Sequence, residues 1–504
     1  MKGLSANRIL APLLVVIALG AVYGLASFGS FTKLGASGQV APPRSTAATS
    51  VLRACPLPGM AGSGGGNVAL VTLPATAGPG QAQVTRLGVN GTPALNNLTH
   101  PGQLWVSPVR PAKAAGTAAG LRTPGNANAI ATVPTQGGVV VQASGSMARG
   151  LEVEQITNAG VPSTRCESPE TDFWFAGPGQ HSAARIQLFL MNVASQAADV
   201  NVEIATDAGP LQGSTDTGIS VAPHSTVVQA LAGVLHGSRV ISLHVRTSVG
   251  QVVAGVEEVT SAGGSGAWLP AAQEPATQVV LPGLPAAAGT RQLFVAVPGI
   301  RDAHIKLTAV TTRGSYPPAG GSGLDIPGGS AVEISLPSMS GIPAALKLSS
   351  NVPVTASAML NGGPTGAPGV FTAASLPLEE QGVVAYNKAG GGTSSELVLS
   401  APGPAVKASI TEIAGSGAAG TPQIVDIQAG HSLVEQLGKG GGSGHKSAFS
   451  VLVTPLAGSG PLYAGRVVAS SGTGGVVQSL LPVASALTTV PLPRVQNTFI
   501  TTVP

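Results

Sequence analysis

Residues 185–258 read RIQLFLMNVASQAADVNVEIATDAGPLQGSTDTGISVAPHSTVVQALAGVLHGSRVISLHVRTSVGQVVAGVEE, and the later part of the chain repeats their pattern. Within them, Val200, Val202 and Ile204 alternate with polar residues, which is typical of a strand with one buried face and one solvated face. Short apolar runs then recur between clusters of turn residues. The pattern predicts a β-sandwich unit. We expect its core to contain Val202, Ile204, Val227, Val245 and Val253.

Three segments match one another along the chain. They are ISVAPHSTVVQAL at 219–231, LDIPGGSAVEISL at 324–336 and VDIQAGHSLVEQL at 425–437. Each has apolar residues at its first and third positions, then a turn, then an alternating run that ends on Leu. This composition predicts a β-hairpin in each segment.

The flanking strands recur in the same order with a period of roughly 100 residues, which fits about seven short strands per unit. The predicted fold is therefore all-β, with tandem immunoglobulin-like β-sandwich repeats after one N-terminal transmembrane helix. Each unit is long enough to bury its own core. The predicted divisions are an anchor or signal peptide at 1–29, a flexible linker at 30–50, a degenerate sandwich at 51–176, sandwiches at 177–275, 276–379 and 380–489, and a tail at 490–504. In the degenerate unit, residues 173–175 (FWF) are predicted to stand where Trp268 stands in the next unit.

The composition limits the classes of partner. Lys and Arg number 25 and Asp and Glu 21, so 9% of the 504 residues are charged, compared with roughly 25% in an average soluble domain. The net charge of +4 is not concentrated in a basic block, and aromatic residues make up only 3%. A nucleic-acid partner is not expected, because such proteins concentrate basic residues beside stacking aromatics.

The N-terminus carries an export signal. Lys2 and Arg8 precede residues 9–28, an uncharged run that is long enough to cross a bilayer. Basic residues on that side predict a single-pass membrane anchor with a cytoplasmic N-terminus and an extracytoplasmic remainder. The alternative is a cleaved signal peptide, which would give a secreted protein.

The chain has two cysteines, Cys55 and Cys166, both in the first predicted unit. An even cysteine count in an exported chain predicts a disulfide. The alternative is two buried, unpaired thiols.

The sequence contains no complete motif for catalysis, cofactor binding or metal binding. Residues 430–434 (GHSLV) lack the final Gly of a nucleophile elbow and align with the repeated turns. The eight histidines show no zinc-binding spacing. The acidic pairs are interpreted as solvated charges at strand ends and unit boundaries; they are Glu152 with Glu154, Glu257 with Glu258, and Glu379 with Glu380. The protein is accordingly predicted not to be an enzyme and to bind no cofactor.

The N-terminal apolar run, the Cys55-Pro56 pair, GLEVEQIT at 150–157 and CESPETDFWFAGPG at 166–179 together resemble a family of exported, membrane-anchored actinobacterial proteins of unknown function. The resemblance implies a place in the cell envelope and supplies no catalytic residue. We expect a non-enzymatic, membrane-anchored scaffold or interaction protein whose partner is an envelope protein or a cell-wall polysaccharide. The alternatives are a carbohydrate- or cell-wall-binding accessory protein and, third, an enzyme with an unrecognised site.

Overall fold

The computed structural model describes residues 45–56, 66–74, 78–87, 96–98, 100–109, 131–135, 137–156, 161–181, 183–211, 218–235, 237–259, 266–287, 289–321, 323–361, 369–438, 447–470 and 476–491. The predicted anchor at 9–28 and the predicted tail from residue 492 onward lie outside them. Within the described ranges, no helix has both the length and the apolar character that crossing a bilayer requires.

The described residues form an all-β structure, as predicted, in which the strands group into four pairs of sheets. We call these pairs modules 1 to 4.

Module 1 contains β2 (Ser50–Cys55), β3 (Gly66–Val71), β4 (Gly80–Arg86), β5 (Asn96–Leu98), β6 (Trp105–Val109), β8 (Val139–Gly145), β9 (Glu152–Ile156) and β10 (Pro162–Arg165). Module 2 contains β7 (Ala131–Thr135), β11 (Asp172–Pro178), β12 (Arg185–Asn192), β13 (Ala198–Thr206), β14 (Gly209–Pro210), β15 (Ile219–Val221), β16 (Ser225–Ala230), the one-turn helix α1 (Ala232–Leu235), β17 (Val240–Val249), β18 (Val253–Val259) and β19 (Gly266–Leu269).

Module 3 contains β20 (Ala276–Leu284), β21 (Thr290–Ala296), β22 (Ala303–Thr311), β23 (Gly314–Tyr316), β24 (Leu324–Ile326), β25 (Ala331–Ser335), a 3-10 turn (Pro337–Met339), β26 (Ala344–Asn361) and β27 (Val370–Ala373). Module 4 contains β28 (Gly382–Asn387), β29 (Thr393–Ala401), β30 (Val406–Ala414), β31 (Gln423–Ile427), β32 (His431–Gln436), β33 (Phe449–Pro455), β34 (Tyr463–Ser470) and β35 (Val477–Pro482). Separately, β1 (Ser45–Ala47), within the predicted linker, pairs with β36 (Thr489–Pro491).

One strand order recurs in all four modules. In module 2 the sheets run β11-β17-β13-β15 and β19-β18-β12-β16. Module 1 has β2-β8-β4-β5 and β10-β9-β3-β6, and module 4 has β28-β33-β30-β31 and β35-β34-β29-β32. In module 3 the long strand β26 serves both sheets, because its first half pairs with β20 and β22 and its second half with β21 and β27. An immunoglobulin domain instead places its first strand beside its second, so the strand order here is a different one.

The three matched segments are arches and not hairpins, so that prediction was wrong. In the first segment β15 pairs with β13, whereas β16 pairs with β12 in the facing sheet. The other two segments divide between facing sheets in the same way. The period-2 pattern shows which side of a strand is buried and carries no information about its partner. The arches share a residue with positive φ: His224 (49°), Gly329 (74°) and Gly430 (72°).

Three further differences concern the start of module 2. Phe173, Trp174 and Phe175 belong to β11, the first strand of module 2, and not to a strand equivalent to the one that carries Trp268. Residue 177, where a unit was predicted to begin, lies inside β11. In addition, β7 comes from the part of the chain assigned to the first unit and pairs with β16. An aromatic, apolar run suits a first strand as well as a last one, so composition alone does not assign it.

Most residues predicted for the module 2 core are found in it. Apolar clusters also cross the boundaries between modules. Val202, Ile204, Val227 and Val245 lie in the module 2 core, whereas Val253 packs in a cluster with Ala54, Leu87 and Met191 at the boundary with module 1. The module 2 core also continues into module 3, through Phe294, Met359 and Phe371. Separate folding of the units stays a prediction.

Two glycines bring modules 3 and 4 into backbone contact. A Cβ on Gly283 would lie 2.9 Å from the Cα of Gly465, and a Cβ on Gly465 would overlap the Cα of Gly283. Gly283 has a φ of +88°, which also disfavours a side chain there. Because both neighbours are backbone atoms, no side-chain rotation can make room.

We therefore expect Gly465→Ala to lower the free energy of unfolding by about 1–3 kcal/mol, the usual cost of overpacking a dense interior. Gly403→Ala is the matched control in module 4, since the nearest atom to its new Cβ would be Pro461 Cγ at 3.9 Å. Urea unfolding of the two variants and the parent chain makes the comparison. Equal stability of the two variants would contradict the close approach.

Candidate functional site

Four connecting segments follow the last strands of the modules. They span residues 166–171, 270–275, 374–381 and 483–488. Each segment forms an antiparallel bridge with the first strand of its own module, through the pairs Glu167–Ala54, Ala272–Trp174, Ser375–Val280 and Ser485–Gly382. The chain thus leaves each module along the same edge.

Each segment, or the strand that follows it, then contacts the next module. Glu170 bridges to Val252 of module 2 and Leu378 to Leu462 of module 4, while the N–H of Gln273 donates to the carbonyl of Ala374, just after the last strand of module 3, at 2.8 Å. The fourth segment returns to module 1, where the N–H groups of Gly150 and Ala48 donate to the carbonyls of Leu487 and Thr488, both at 2.9 Å. The four modules therefore close into a ring.

A buried ion pair also joins module 4 to module 1. Arg466 on β34 donates from Nη1 to Glu154 Oε2 on β9 at 2.9 Å and to the carbonyl of Tyr386 at 2.6 Å. Glu154 Oε1 accepts from the N–H of Ala385 at 3.1 Å. The side chains of Arg466 and Glu154 are 0% and 4% exposed. Around them, Ala69 and Ile156 of module 1 cluster with Ala385 and Tyr386 of module 4.

A cavity of about 870 Å³ lies where the four connecting segments meet. All four contribute to its wall, together with Arg53 of module 1 and residues 172–174 at the start of β11. Its volume is in the range of roughly 300–1,000 Å³ that is usual for ligand pockets. This central cavity is the candidate site.

The ionisable side chains of the wall are mainly acidic. The carboxylates are Glu167, Glu170, Asp172, Glu274 and Glu379, and the basic groups are Arg53 and Arg165. Glu170, Glu274 and Glu379 are exposed, whereas Arg53 is only 7% exposed. Negative charge therefore dominates the accessible part of the wall.

The two arginines are held by neighbouring groups. Arg165 pairs with the buried Glu152: Nη2 donates to Oε2 at 2.9 Å, and Nε lies 2.8 Å from Oε1, outside hydrogen-bond geometry. Arg53 donates from Nη1 to the hydroxyl of Ser168. Burial raises the pKa of Glu152 to about 7, opposed by the charges of Arg165 and Arg53. Burial lowers the pKa of Arg53, and the charge of Arg165 acts in the same direction.

Like charges meet across the segments. Glu170 is exposed as a residue, but its carboxyl is partly shielded from water, which raises its pKa, and the carboxylates of Glu167 and Glu274 raise it further. Glu274 belongs to the second segment, while Glu167 and Glu170 belong to the first. The fold thus holds carboxylates from separate segments near one another.

The wall also presents apolar groups. Leu376 is 67% exposed, which is high for a leucine beside a cavity. Trp174 is half-buried, and its indole stacks on His244 with ring centroids 3.7 Å apart. His244 in turn lies 2.8 Å from Asp172 Oδ2 and 3.1 Å from Glu203 Oε2. One face of the indole is therefore occupied.

The predicted disulfide between Cys55 and Cys166 is confirmed. It links positions 111 residues apart with a Cα–Cα distance of 4.5 Å, and both cysteines are fully buried. Cys55 follows Arg53 by two residues, and Cys166 immediately precedes Glu167. The bond therefore fixes two parts of the cavity wall to each other.

A protein-family comparison matches residues 122–437, which is more than half of the chain. The chain belongs to the DUF5719 family, a family of unknown function. This confirms the resemblance to a family without an assigned function; an actinobacterial origin stays an expectation. No curated protein matches the chain. The DUF5719 match includes the first three connecting segments and hence most of the cavity wall.

The elbow-like stretch at 430–434 of the DUF5719 protein has a structural role. Ser432, in the elbow-like stretch, is buried in β32 and donates to the carbonyl of Val310 at 2.7 Å, while Gly430 forms an arch, so the interpretation as a repeated turn is confirmed. In the described part of the chain, no three His, Cys, Asp or Glu side chains are grouped so as to hold a metal ion.

The acidic pairs were misjudged at two of three places. Glu379 and Glu380 are exposed as expected. Glu152, Glu154, Glu257 and Glu258 are instead buried, between 1% and 6% exposed, and Glu154 is covered by module 4 through Ala385 and Arg466. Sequence periodicity does not show contacts between modules.

The cavity itself was not predicted, because its residues come from segments about 100 positions apart in sequence. One signal was available. A proline stands in or beside every connecting segment, at Pro169, Pro270, Pro377 and Pro482, and in the last three it follows a leucine. The recurring proline marks the same place in each module, at the end of the last strand or shortly after it.

The ion pair between Arg466 and Glu154 should dominate the contact of modules 4 and 1. We expect Arg466→Met to lower the free energy of unfolding by about 3–5 kcal/mol, because it leaves a buried carboxylate without its partner. Arg246→Met, at an arginine whose side chain is 58% exposed, should cost at most about 1 kcal/mol. Calorimetry or chemical denaturation measures both.

The double variant Arg466→Met with Glu154→Gln separates pairing from packing. Glutamine carries no charge and retains an oxygen for the N–H of Ala385, so most of the lost stability should return. A double variant less stable than Arg466→Met alone would show that the charge of Glu154 is not what makes the single variant unstable.

Glu258 on β18 should make stability depend on pH. The residue is 1% exposed, neither carboxyl oxygen has a hydrogen-bond partner within the described ranges, and burial raises its pKa to about 8. The folded chain therefore keeps this proton up to about pH 8, whereas an unfolded chain loses it above about pH 4.3. The free energy of unfolding should fall as pH rises between these values, by up to about 1.4 kcal/mol per pH unit.

Glu258→Gln should reduce this slope, since an amide has no proton to lose in that range. The unfolding free energy of both chains is measured from pH 5 to 8, with Glu274→Gln, at an exposed carboxylate, as the matched control. If the slopes of the parent and Glu258→Gln coincide, the buried carboxyl is ionised in the folded protein.

Proposed function

We propose that this DUF5719 protein is a non-enzymatic interaction protein of the cell envelope, anchored in the membrane by residues 9–28, which binds its partner in the central cavity. The observation that carries the proposal is the convergence of four connecting segments, one from each module, on a single concave site. The Cys55–Cys166 disulfide supports an extracytoplasmic location, because such bonds persist in oxidising compartments.

A ring of packed modules suits a binding role. Ligand sites are usually largely pre-formed and often lie where domains meet. Here the segments are tied by backbone hydrogen bonds to two modules each, so the wall is positioned before a partner arrives. Pre-positioning reduces the ordering cost of binding.

The common strand order of the modules supports their origin as repeats of one sandwich. Repetition explains why the wall is assembled from equivalent positions. It also places four similar segments side by side around the cavity.

A cell-wall polysaccharide is the second candidate partner, and Trp174 in the wall is the observation that favours it. Sugar rings stack on exposed aromatic faces. One face of this indole is covered by His244, however, so the platform is limited. Co-sedimentation with purified cell walls that is abolished by Trp174→Ala would favour this candidate over a protein partner.

Site-specific photo-cross-linking in intact cells tests the proposal. A photoreactive residue replaces Leu376 in the cavity wall or, as the control, Ile300, which is 97% exposed and lies outside the wall. We expect a discrete adduct at 376 and none at 300, in the membrane fraction and sensitive to protease added outside the cells. The partner, identified by mass spectrometry and purified, should bind the full-length protein.

Absence of an adduct at 376, or the same adduct at both positions, would contradict binding in the cavity. Adducts protected from external protease would contradict the extracytoplasmic location.

A further inference from the structure

We propose that the central cavity binds a basic, extended segment of a partner protein, with a Lys or Arg side chain against its carboxylates and an apolar side chain against Leu376. This inference rests on the proposed function and adds the chemistry of the partner. Three independent features of the wall support it.

The first feature is the charge. Of the two arginines, Arg165 is already paired with Glu152, and Arg53 is buried. Glu170, Glu274 and Glu379 are exposed. A cationic group entering the cavity would meet an excess of carboxylates, and it would relieve the repulsion that helps to raise the pKa of Glu170.

The second feature is a set of polar atoms that lack partners. Arg53 Nε, Asp172 Oδ1 and Ser375 Oγ all belong to residues of the wall, are buried, and have no hydrogen-bond partner among the residues that the structure describes. Buried polar groups are rarely left unsatisfied, so each calls for an explanation. The set contains a donor, an acceptor and a hydroxyl that can do either.

A peptide backbone matches this set. Its carbonyl can accept from Arg53 Nε, and its N–H can donate to Asp172 Oδ1. An extended segment exposes both groups at every residue, whereas a simple amine offers donors only. The unsatisfied atoms thus favour a protein segment as the source of the positive charge.

The third feature is the exposed leucine. Leu376 lies in the third connecting segment, next to Pro377 and three residues before the exposed Glu379. A long basic side chain can lay its methylene groups along such a residue while its charged end reaches a carboxylate. An apolar neighbour in the same segment would cover Leu376 further.

Short capped peptides test the inference with purified full-length protein in detergent. The probes are acetyl-Lys-Leu-Lys-amide, its neutral norleucine analogue and acetyl-Glu-Leu-Glu-amide, each titrated by calorimetry. We expect saturable binding of the lysine peptide that weakens as salt rises, and no binding of the acidic peptide. Equal binding of all three peptides, or none, would overturn the inference.

The cavity carboxylates are then removed in the double variant Glu274→Gln with Glu379→Gln. We expect a threefold to tenfold loss of affinity, roughly what two partly exposed ion pairs supply. The matched control is Asp325→Asn with Asp426→Asn, which changes the net charge equally at two exposed positions outside the wall. Equal losses in the two double variants would overturn the inference, because the effect would then come from overall charge.

Two further results separate the inference from the proposed function. If spermidine bound as tightly as the lysine peptide, the site would take a small polyamine and the protein segment would be rejected. If the cross-link at position 376 formed equally in cells carrying Glu274→Gln with Glu379→Gln, the cavity would bind a partner by other chemistry. The proposed function would then stand and the inference would fall.

Discussion

The arrangement of the modules depends on a buried ion pair between Arg466 and Glu154. Both residues are almost completely buried. Removing two ions from water costs free energy, and the geometry and surroundings of the pair must compensate for that cost. That compensation requires modules 1 and 4 to be packed together, since one partner lies on β9 and the other on β34. Two nitrogens of Arg466, Nε and Nη2, have no acceptor among the described residues, so the desolvation of the pair is only partly compensated.

Close packing between the other modules follows from small or apolar residues. Gly283 and Gly465 let two backbones touch, and Phe294 and Phe371 extend the core of module 2 into module 3. Gly283 lies on β20, the first strand of module 3, to which the third connecting segment is bridged through Ser375. The position of the cavity wall is thus a consequence of module packing and not of any single loop.

The wall concentrates the polar groups that a stable interior would avoid. Carboxylates from different segments lie close together, and Arg53, Asp172 and Ser375 keep unsatisfied atoms. Structures depart from full satisfaction chiefly where they bind or react. The disulfide between Cys55 and Cys166 supports this region from module 1, because it anchors both Arg53 and Glu167.

The sequence by itself determined the all-β fold, most strand positions, the repeat and the disulfide. Alternation along one strand, as at Val202 and Ile204, reports the burial of its face and needs no knowledge of distant residues. Only the tertiary structure decided which strands pair, that residues 173–175 open a module, that Glu154 and Glu258 are buried, and that the connecting segments enclose a cavity. These features arise from contacts between residues far apart in sequence, and a local pattern of burial is compatible with many such pairings.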